Sequence, residues 1–430
     1  MKIGIVTSLF YPYSVGGAET SAYYLSRGLA KAGHDVLLIT PHLGGNYPSY
    51  EKDGFKIYRF NIGRVSRFLH KIRSRSRFRF PFTTAFDPFF HYHFKRNIKL
   101  IVKCFKPDIL HVQHSPALIP TYKAAKGVKM VATLRDYTTY CDSGYCSLAR
   151  EYKKCSLSTY LNCKHKWDKQ YSEHSRFDVL FKFFKSLLVY RLAYHNLKFK
   201  QMVLRKMNGV INVSGFVRDV YKKIGVEGVV IHNIAPGEKV EKPVSKIKKE
   251  LGVSGKIVSY VGKISIGKGA NQILEMIKIL NDVNFVVAGT GPLDKDFERA
   301  SKEYENLIYR RHVPHDQAME IYKASDVVCS TSVWPEPLSR VIIEALSVGT
   351  PCIATNVGGS GEIIDDGING FLIEPENVNE LVGKVKVLLS DKKMRGKFAK
   401  NGKLKIKEDF SSDKIINKHV AFYKRVVGLK

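Results

Sequence analysis

The sequence contains no run approaching the ~18 consecutive apolar residues of a membrane-spanning helix, so an integral membrane protein is not expected. Cysteine is sparse: seven in 430 residues are too few for a disulfide scaffold. The opening stretch, MKIGIVTSLFYPYS, lacks an apolar segment ending in a small-residue cleavage site; it reads as a first strand, and export is not expected. No internal repeat is visible. Acid is also in short supply. Seventy Lys and Arg stand against 39 Asp and Glu, a net charge of +31, which points to an anionic partner: nucleic acid, an anionic membrane face or a phosphorylated small molecule. What remains is ordinary. Apolar residues at 44% and charged residues at 25% exclude disorder as the main state, and the length has room for two or three domains.

Short apolar runs alternate with helix-length amphipathic stretches along nearly the whole chain. Strands are expected at 2–7, 35–39, 109–112, 130–134, 209–213 and 228–231, then at 256–261, 284–288, 307–309, 327–331, 351–355 and 370–373. Many are continuous Val/Ile/Leu runs, as in a parallel sheet covered on both faces, and segments such as 18–32 and 271–280 supply the crossover helices. The class is α/β, with two Rossmann-like domains. The stretch 233–250, with Pro236, Gly237 and Pro243 among charged residues, suits a linker, giving a first domain at 1–235, a second at 236–412 and a last helix from about 413.

Two insertions interrupt the first domain, at 64–80 and 137–207. The first is acid-free, with seven cations interleaved with Phe68, Phe78 and Phe80. Within the second, 180–207 is also acid-free and sets Phe181, Phe184, Leu188, Leu192 and Leu197 at helical spacing beside Lys and Arg. Such stretches suit the interface of an anionic bilayer; a stripe packed on the domain under a solvated cationic face would look the same. No RNA-binding signature accompanies them, and nucleic acid is not expected as the partner.

Three segments carry candidate chemistry. Gly16-Gly17 opens a helix just after the first strand, where backbone N–H groups can approach a phosphate. At the first strand of the second domain, Lys263 and Lys268 flank Gly262, Gly267 and Gly269, so two ammonium groups beside a glycine-rich turn could neutralise a diphosphate. The segment from Trp334 to Ala345 is the most informative. Pro337 suits the first position of a helix, which would aim the N–H groups of Leu338, Ser339 and Arg340 at an anion, with Glu336 at the mouth. Glu344 lies on the same otherwise apolar helix, where a ribose diol or a surface ion pair would meet its carboxylate.

Glu336 and Glu344, followed by Gly349-Thr350-Pro351 and Val357-Gly358-Gly359, resemble the nucleotide-sugar site of retaining GT-B glycosyltransferases, a family that includes bacterial mannosyl- and glucosyltransferases. Lys263, Lys268 and Gly289-Thr290-Gly291-Pro292 extend the likeness through the second domain. Gly16-Gly17-Ala18-Glu19, 108–114 and Val213-Ser214 carry it more loosely through the first. The resemblance implies two Rossmann-like domains facing across a cleft, with the last helix returning to the first. It implies a nucleotide-diphosphate sugar (a UDP- or GDP-sugar) as donor, bound mainly by the second domain. Lys263 and Lys268 would hold the diphosphate, Glu344 the ribose, backbone near Val313 the base, and Glu336 the sugar, whose phosphate meets Leu338 and Ser339. It implies retention of anomeric configuration, and neither cofactor nor catalytic metal.

Three positions depart from the family pattern. Arg135 stands where a histidine is common; an arginine cannot act as a base, but it can hold a phosphate or hydroxyl. Lys263 replaces an arginine, and Ser339 a frequent glycine. His111 and His114, at a strand end, are expected to have a packing or surface role rather than a chemical one. Cys141, Cys146, Cys155 and Cys163 cluster in a Lys-rich loop; zinc, reduced thiols and disulfides all remain open there, because the CxxC knuckle is absent.

The expectation is a cytoplasmic, peripheral inner-membrane transferase acting on a lipid-linked or glycan acceptor. The rivals are another GT-B enzyme, such as an epimerase or phosphorylase, and a non-catalytic basic membrane- or nucleic-acid-binding protein.

Overall fold

The structure, a computed structural model, describes residues 1–12, 16–42, 49–64, 66–67, 87–141, 155–163, 179–237 and 240–429, with backbone alone over 179–189. Most of the basic insertion at 64–80 therefore lies outside the described residues, as do Phe181, Phe184 and Leu188 as side chains. The chain divides into two compact units: Met1–Ile231 with Ile416–Lys430, and His232–Ile415.

The first unit carries β1 (Lys2–Val6), β2 (Asp35–His42), β3 (Tyr50–Lys52), β4 (Phe55–Asn61), β5 (Ile109–Val112), β6 (Lys129–Leu134), β7 (Gly209–Asn212) and β8 (Val229–Val230). Its helices are α1 (Gly17–Lys31), α2 (Pro88–Phe105), α3 (Ser115–Ala124), α4 (Val179–Arg205) and α5 (Gly215–Lys222). The strands lie in the order β3-β4-β2-β1-β5-β6-β7-β8, parallel throughout except for β3 against β4. Helices on both faces explain why β1 can be a run of isoleucine and valine: Ile3, Ile5 and Val6 are fully buried.

The second unit carries β9 (Ile257–Val261), β10 (Asn284–Ala288), β11 (Leu307–Arg310), β12 (Val327–Ser330), β13 (Cys352–Thr355) and β14 (Gly370–Ile373). Its helices are α6 (Val244–Leu251), α7 (Ala270–Ile279), α8 (Asp294–Glu303), α9 (His315–Ala324), α10 (Arg340–Val348), α11 (Val378–Ser390) and α12 (Lys392–Asp409). The sheet is wholly parallel in the order β11-β10-β9-β12-β13-β14, over a core that includes Phe285, Val287, Phe297, Ile353 and Leu381. The last helix, α13 (Ser412–Val427), begins in the second unit's stretch of chain and ends in the first's.

Both sheets contain the six-strand order 3-2-1-4-5-6 of a Rossmann fold, with β1 and β9 as first strands. The connection direction reverses between β1 and β5, and again between β9 and β12. Loops leaving the carboxyl ends of those strands diverge and leave a crevice, the usual ligand position in such sheets.

Two sequence expectations need correction. The stretch 233–250 is not simply a linker, because Val244–Leu251 is helical, with Ile247 buried against β9 and β10. The hairpin β3–β4 was not expected at all. Its turn is Asp53-Gly54, both residues left-handed (φ 49° and 82°), which is the two-residue turn that antiparallel strands favour.

Candidate active site

In the second unit the apolar run of β9 ends at Gly262, and the following turn is folded back by the Tyr260 hydroxyl. It donates to the carbonyls of Lys263 (3.0 Å) and Lys268 (3.1 Å). Gly269 then takes a left-handed conformation (φ 71°), and a Cβ there would sit 1.8 Å from the Thr331 carbonyl oxygen, so only glycine lets this turn press on the end of β12. The loop after β12 is tied to it: the N–H groups of Val333 and Trp334 donate to the Gly267 carbonyl (3.1 and 3.3 Å). The two strand-end loops flanking the switch point are thus one body.

That body brings Lys268 and Glu336 together as a hydrogen-bonded ion pair, with the lysine ammonium 4.8 Å above the Trp334 ring. Glu336 is buried, and the Ser332 hydroxyl also donates to it at 2.5 Å. Burial alone would raise its pKa. The Lys268 charge, with hydrogen bonds from Lys268 and Ser332, outweighs burial and holds the carboxyl below the usual range, as a carboxylate. Gly358 (φ 60°) lies under it, where a Cβ would come within 1.9 Å of the Glu336 carbonyl, which accepts the Gly359 N–H at 2.7 Å. The Val357-Gly358-Gly359 motif supports Glu336 by close backbone approach.

The helix bearing Glu344 starts later than the sequence suggested. Ser339 is the N-cap of α10, its hydroxyl accepting the Ile342 N–H, so the first helical residue is Arg340 rather than Pro337. A serine that can accept a hydrogen bond from the first turn competes well for the cap, whereas Pro337 is equally at home in the extended approach. The N–H groups of Leu338 and Ser339 therefore precede the helix, and both residues are buried.

Glu344, one turn in, is buried and makes an ion pair, an interior one rather than one at the surface. Its Oε1 accepts from Arg340 (Nη2 2.8 Å, Nε 3.2 Å) and from His315 Nε2 (3.1 Å). Burial pushes its pKa up; the Arg340 charge and the His315 hydrogen bond pull it further down, so the carboxylate persists. His315 opens α9, two residues after Val313, whose side chain packs on the cluster around Ile257 and Val286. The sequence reading missed His315: nothing local marks it, since only the packing of α9 beside α10 brings it to Glu344. Lys263 is exposed in the β9 turn.

In the first unit, Gly16 and Gly17 start α1, but the Gly16 N–H already donates to the Glu19 carboxylate (3.1 Å). Arg135, at the end of β6, donates through Nε (3.0 Å) and Nη2 (2.6 Å) to the Gln113 side-chain oxygen. Gln113 in turn donates to His111 Nε2 (2.9 Å), which leaves the His111 proton on Nδ1, directed to the Tyr423 hydroxyl at 2.5 Å. Residues 112–115 and 132–136 line a pocket at these strand ends. His114 uses Nδ1 to accept the Ser8 N–H (3.3 Å), beside the Thr7 hydroxyl at 2.7 Å.

Burial, then the nearby Arg135 charge, pushes His114 down to about 3. The sign follows directly. Below the ordinary histidine pKa the unfolded chain binds a proton that the folded chain refuses, so stability falls as pH drops. Between pH 7 and pH 5 His114 alone should remove about 2 kcal/mol. Urea unfolding at the two pH values checks this: a His114→Asn variant should lose that much of the pH dependence, and an unchanged difference would refute it.

Cys141 is buried, Cys155 and Cys163 are partly buried, and Cys146 lies outside the described residues. Among the described residues no group of three or more His, Cys, Asp or Glu side chains is placed to hold a metal ion.

Comparison with known proteins finds two family models on this chain. The one described as Glycosyltransferase Family 4 matches residues 15–237, and the one described as Glycosyl transferases group 1 matches 242–405. An uncharacterized glycosyltransferase of Methanocaldococcus jannaschii is 27% identical over 99% of this chain and 98% of its own length. Among solved structures, sucrose-phosphate synthase of Thermosynechococcus elongatus superposes with a TM-score of 0.73 at 17% identity, covering 99% of both chains. Anabaena HepE in complex with UDP-glucose gives 0.69 at 17%, covering 99% of this chain and all of HepE. These likenesses establish a GT-B fold.

Proposed function

The chain belongs to glycosyltransferase family 4, and from that premise we propose that it transfers a sugar from a nucleotide-diphosphate donor, with retention of configuration and without a metal ion. The observation that carries this reading is the pair of buried carboxylates, Glu336 in the loop after β12 and Glu344 on α10 beyond it, each held ionised by its own cation beside the β9/β12 switch point. A carboxylate kept charged in an apolar setting is an acceptor suited to sugar and ribose hydroxyls.

Lys263 and Lys268 hold the diphosphate, Glu344 the ribose, backbone near Val313 the base, and Glu336 the sugar. The N–H groups of Leu338, Ser339 and Arg340 address the sugar phosphate. In the transfer, the bond from the anomeric carbon to the phosphate oxygen breaks as the bond to the acceptor oxygen forms on the same face. The acceptor proton passes to the departing phosphate oxygen. The protein's main task is then to stabilise the charge on the leaving diphosphate, which the Lys268 ammonium can do. Arg135 serves as a hydrogen-bond donor to a hydroxyl or phosphate, not as a base. A UDP-sugar donor is favoured by HepE, whose structure holds UDP-glucose. The acceptor is a lipid-linked or growing glycan, met by the basic chain at a cytoplasmic membrane face.

A thermal-shift screen of UDP-, GDP- and ADP-sugars tests the donor assignment. At a hundredfold excess over Kd the matching donor should stabilise the folded chain by about 2.7 kcal/mol and raise the melting temperature by several degrees. No shift with any nucleotide sugar would reject the reading.

A further inference from the structure

We propose that the outward face of α2 is a docking surface for an anionic lipid bilayer. It rests on residues of α2 that take no part in the strand-end site and needs nothing from the glycosyl-transfer chemistry.

The helix is 18 residues long, about 27 Å. Asp87 caps it, accepting the Phe90 N–H at 2.9 Å, and no further acid occurs before Asp108. Phe90, Phe94, Ile98 and Ile101 are buried and fasten one face to the unit. The opposite face is unusual for a soluble helix. Phe89, Tyr92 and Leu100 are 50%, 61% and 49% exposed, and Lys95, Arg96, Lys99 and Lys103 are exposed among them. At 100° per residue these seven side chains fall within an arc of about 140°. An aromatic-aliphatic ridge and a line of cations therefore share one side of a helix whose own sequence offers them no counter-charge.

The mixture selects the partner. Lysine and arginine alone would suit any polyanion, but Phe89 and Leu100 gain nothing from phosphates and sugars. The headgroup region of a bilayer satisfies both at once: lipid phosphates meet the cations, while the ring and the leucine pass into the acyl boundary and Tyr92 rests at the interface. Because the buried face anchors the helix independently, the surface is preformed and needs no refolding to engage.

Co-sedimentation of the full chain with phosphatidylcholine vesicles, with and without phosphatidylglycerol, tests this. Binding should require phosphatidylglycerol and weaken as salt rises. Each cation near such a surface contributes about fivefold, so Lys95→Gln/Arg96→Gln/Lys99→Gln should bind about 100-fold more weakly. Phe89→Ala/Tyr92→Ala/Leu100→Ala, at unchanged charge, should lose at least about tenfold, because three apolar groups no longer leave water. All six positions are exposed, so melting temperatures should match the parent, and nucleotide-sugar shifts should be unaltered; failure here is thus distinguishable from failure of the transfer reading. Undiminished vesicle binding in both variants would overturn the proposal. So would binding to an oligonucleotide that exceeds vesicle binding and is lost with the same three charges.

Discussion

Replacing Lys268 by alanine should lower glycosyl transfer by about 10²–10³-fold, the usual cost of deleting one preorganised donor at the charge that develops in the transition state. The reason lies in how the protein holds the lysine. Its ammonium rests on Glu336 and over Trp334, held by a turn that Gly269 and Tyr260 fix in place, so the charge is already positioned before a diphosphate arrives. Alanine leaves Glu336 buried without its cation, which also costs stability. Lys268→Ala/Glu336→Gln separates the two effects: neutralising the abandoned carboxylate should recover melting temperature without recovering transfer. Recovery of both, or full activity in Lys268→Ala, would show that the pair is only structural.

The second large effect is expected at Glu344. Glu344→Gln keeps the shape but removes the charge that Arg340 and His315 sustain, and with it the charged hydrogen bond to ribose that the proposed function assigns to Glu344. Such bonds contribute roughly 1.5–3 kcal/mol, so donor KM should rise about 10–100-fold while kcat changes less. Steady-state kinetics with varied donor decides the matter. A fall in melting temperature with donor KM unchanged would assign Glu344 to helix packing alone.

Much of this was legible in the sequence, for definable reasons. Buried parallel strands are nearly homogeneous Val/Ile/Leu runs, so β5, β10 and β14 match the expected ranges residue for residue. The hairpin escaped because Tyr50, Glu51 and Lys52 are all exposed and β4 is half polar; its one clear mark was Asp53-Gly54. The start of α10 was misplaced because Pro337 and Ser339 are both good helix-opening residues, and only backbone geometry shows that the serine caps it. The carboxylates themselves could be picked out from their position among apolar neighbours. Their partners could not: His315 and Ser332 reach Glu344 and Glu336 through packing between segments, which leaves no periodic trace. The chain His111–Gln113–Arg135 was hidden for the same reason, although Gln113 and Arg135 stand just past strand ends, where the fold opens side chains to a pocket, while His111 is buried within β5.

Hydrogen exchange of the full chain, with and without the nucleoside diphosphate selected by the screen, tests the location of the donor most directly. Bound nucleotide should slow exchange in peptides spanning 262–270, 313–315 and 334–344, and Lys268→Ala should abolish that protection at the same ligand concentration. Protection confined to other segments, with those three unchanged, would contradict the site.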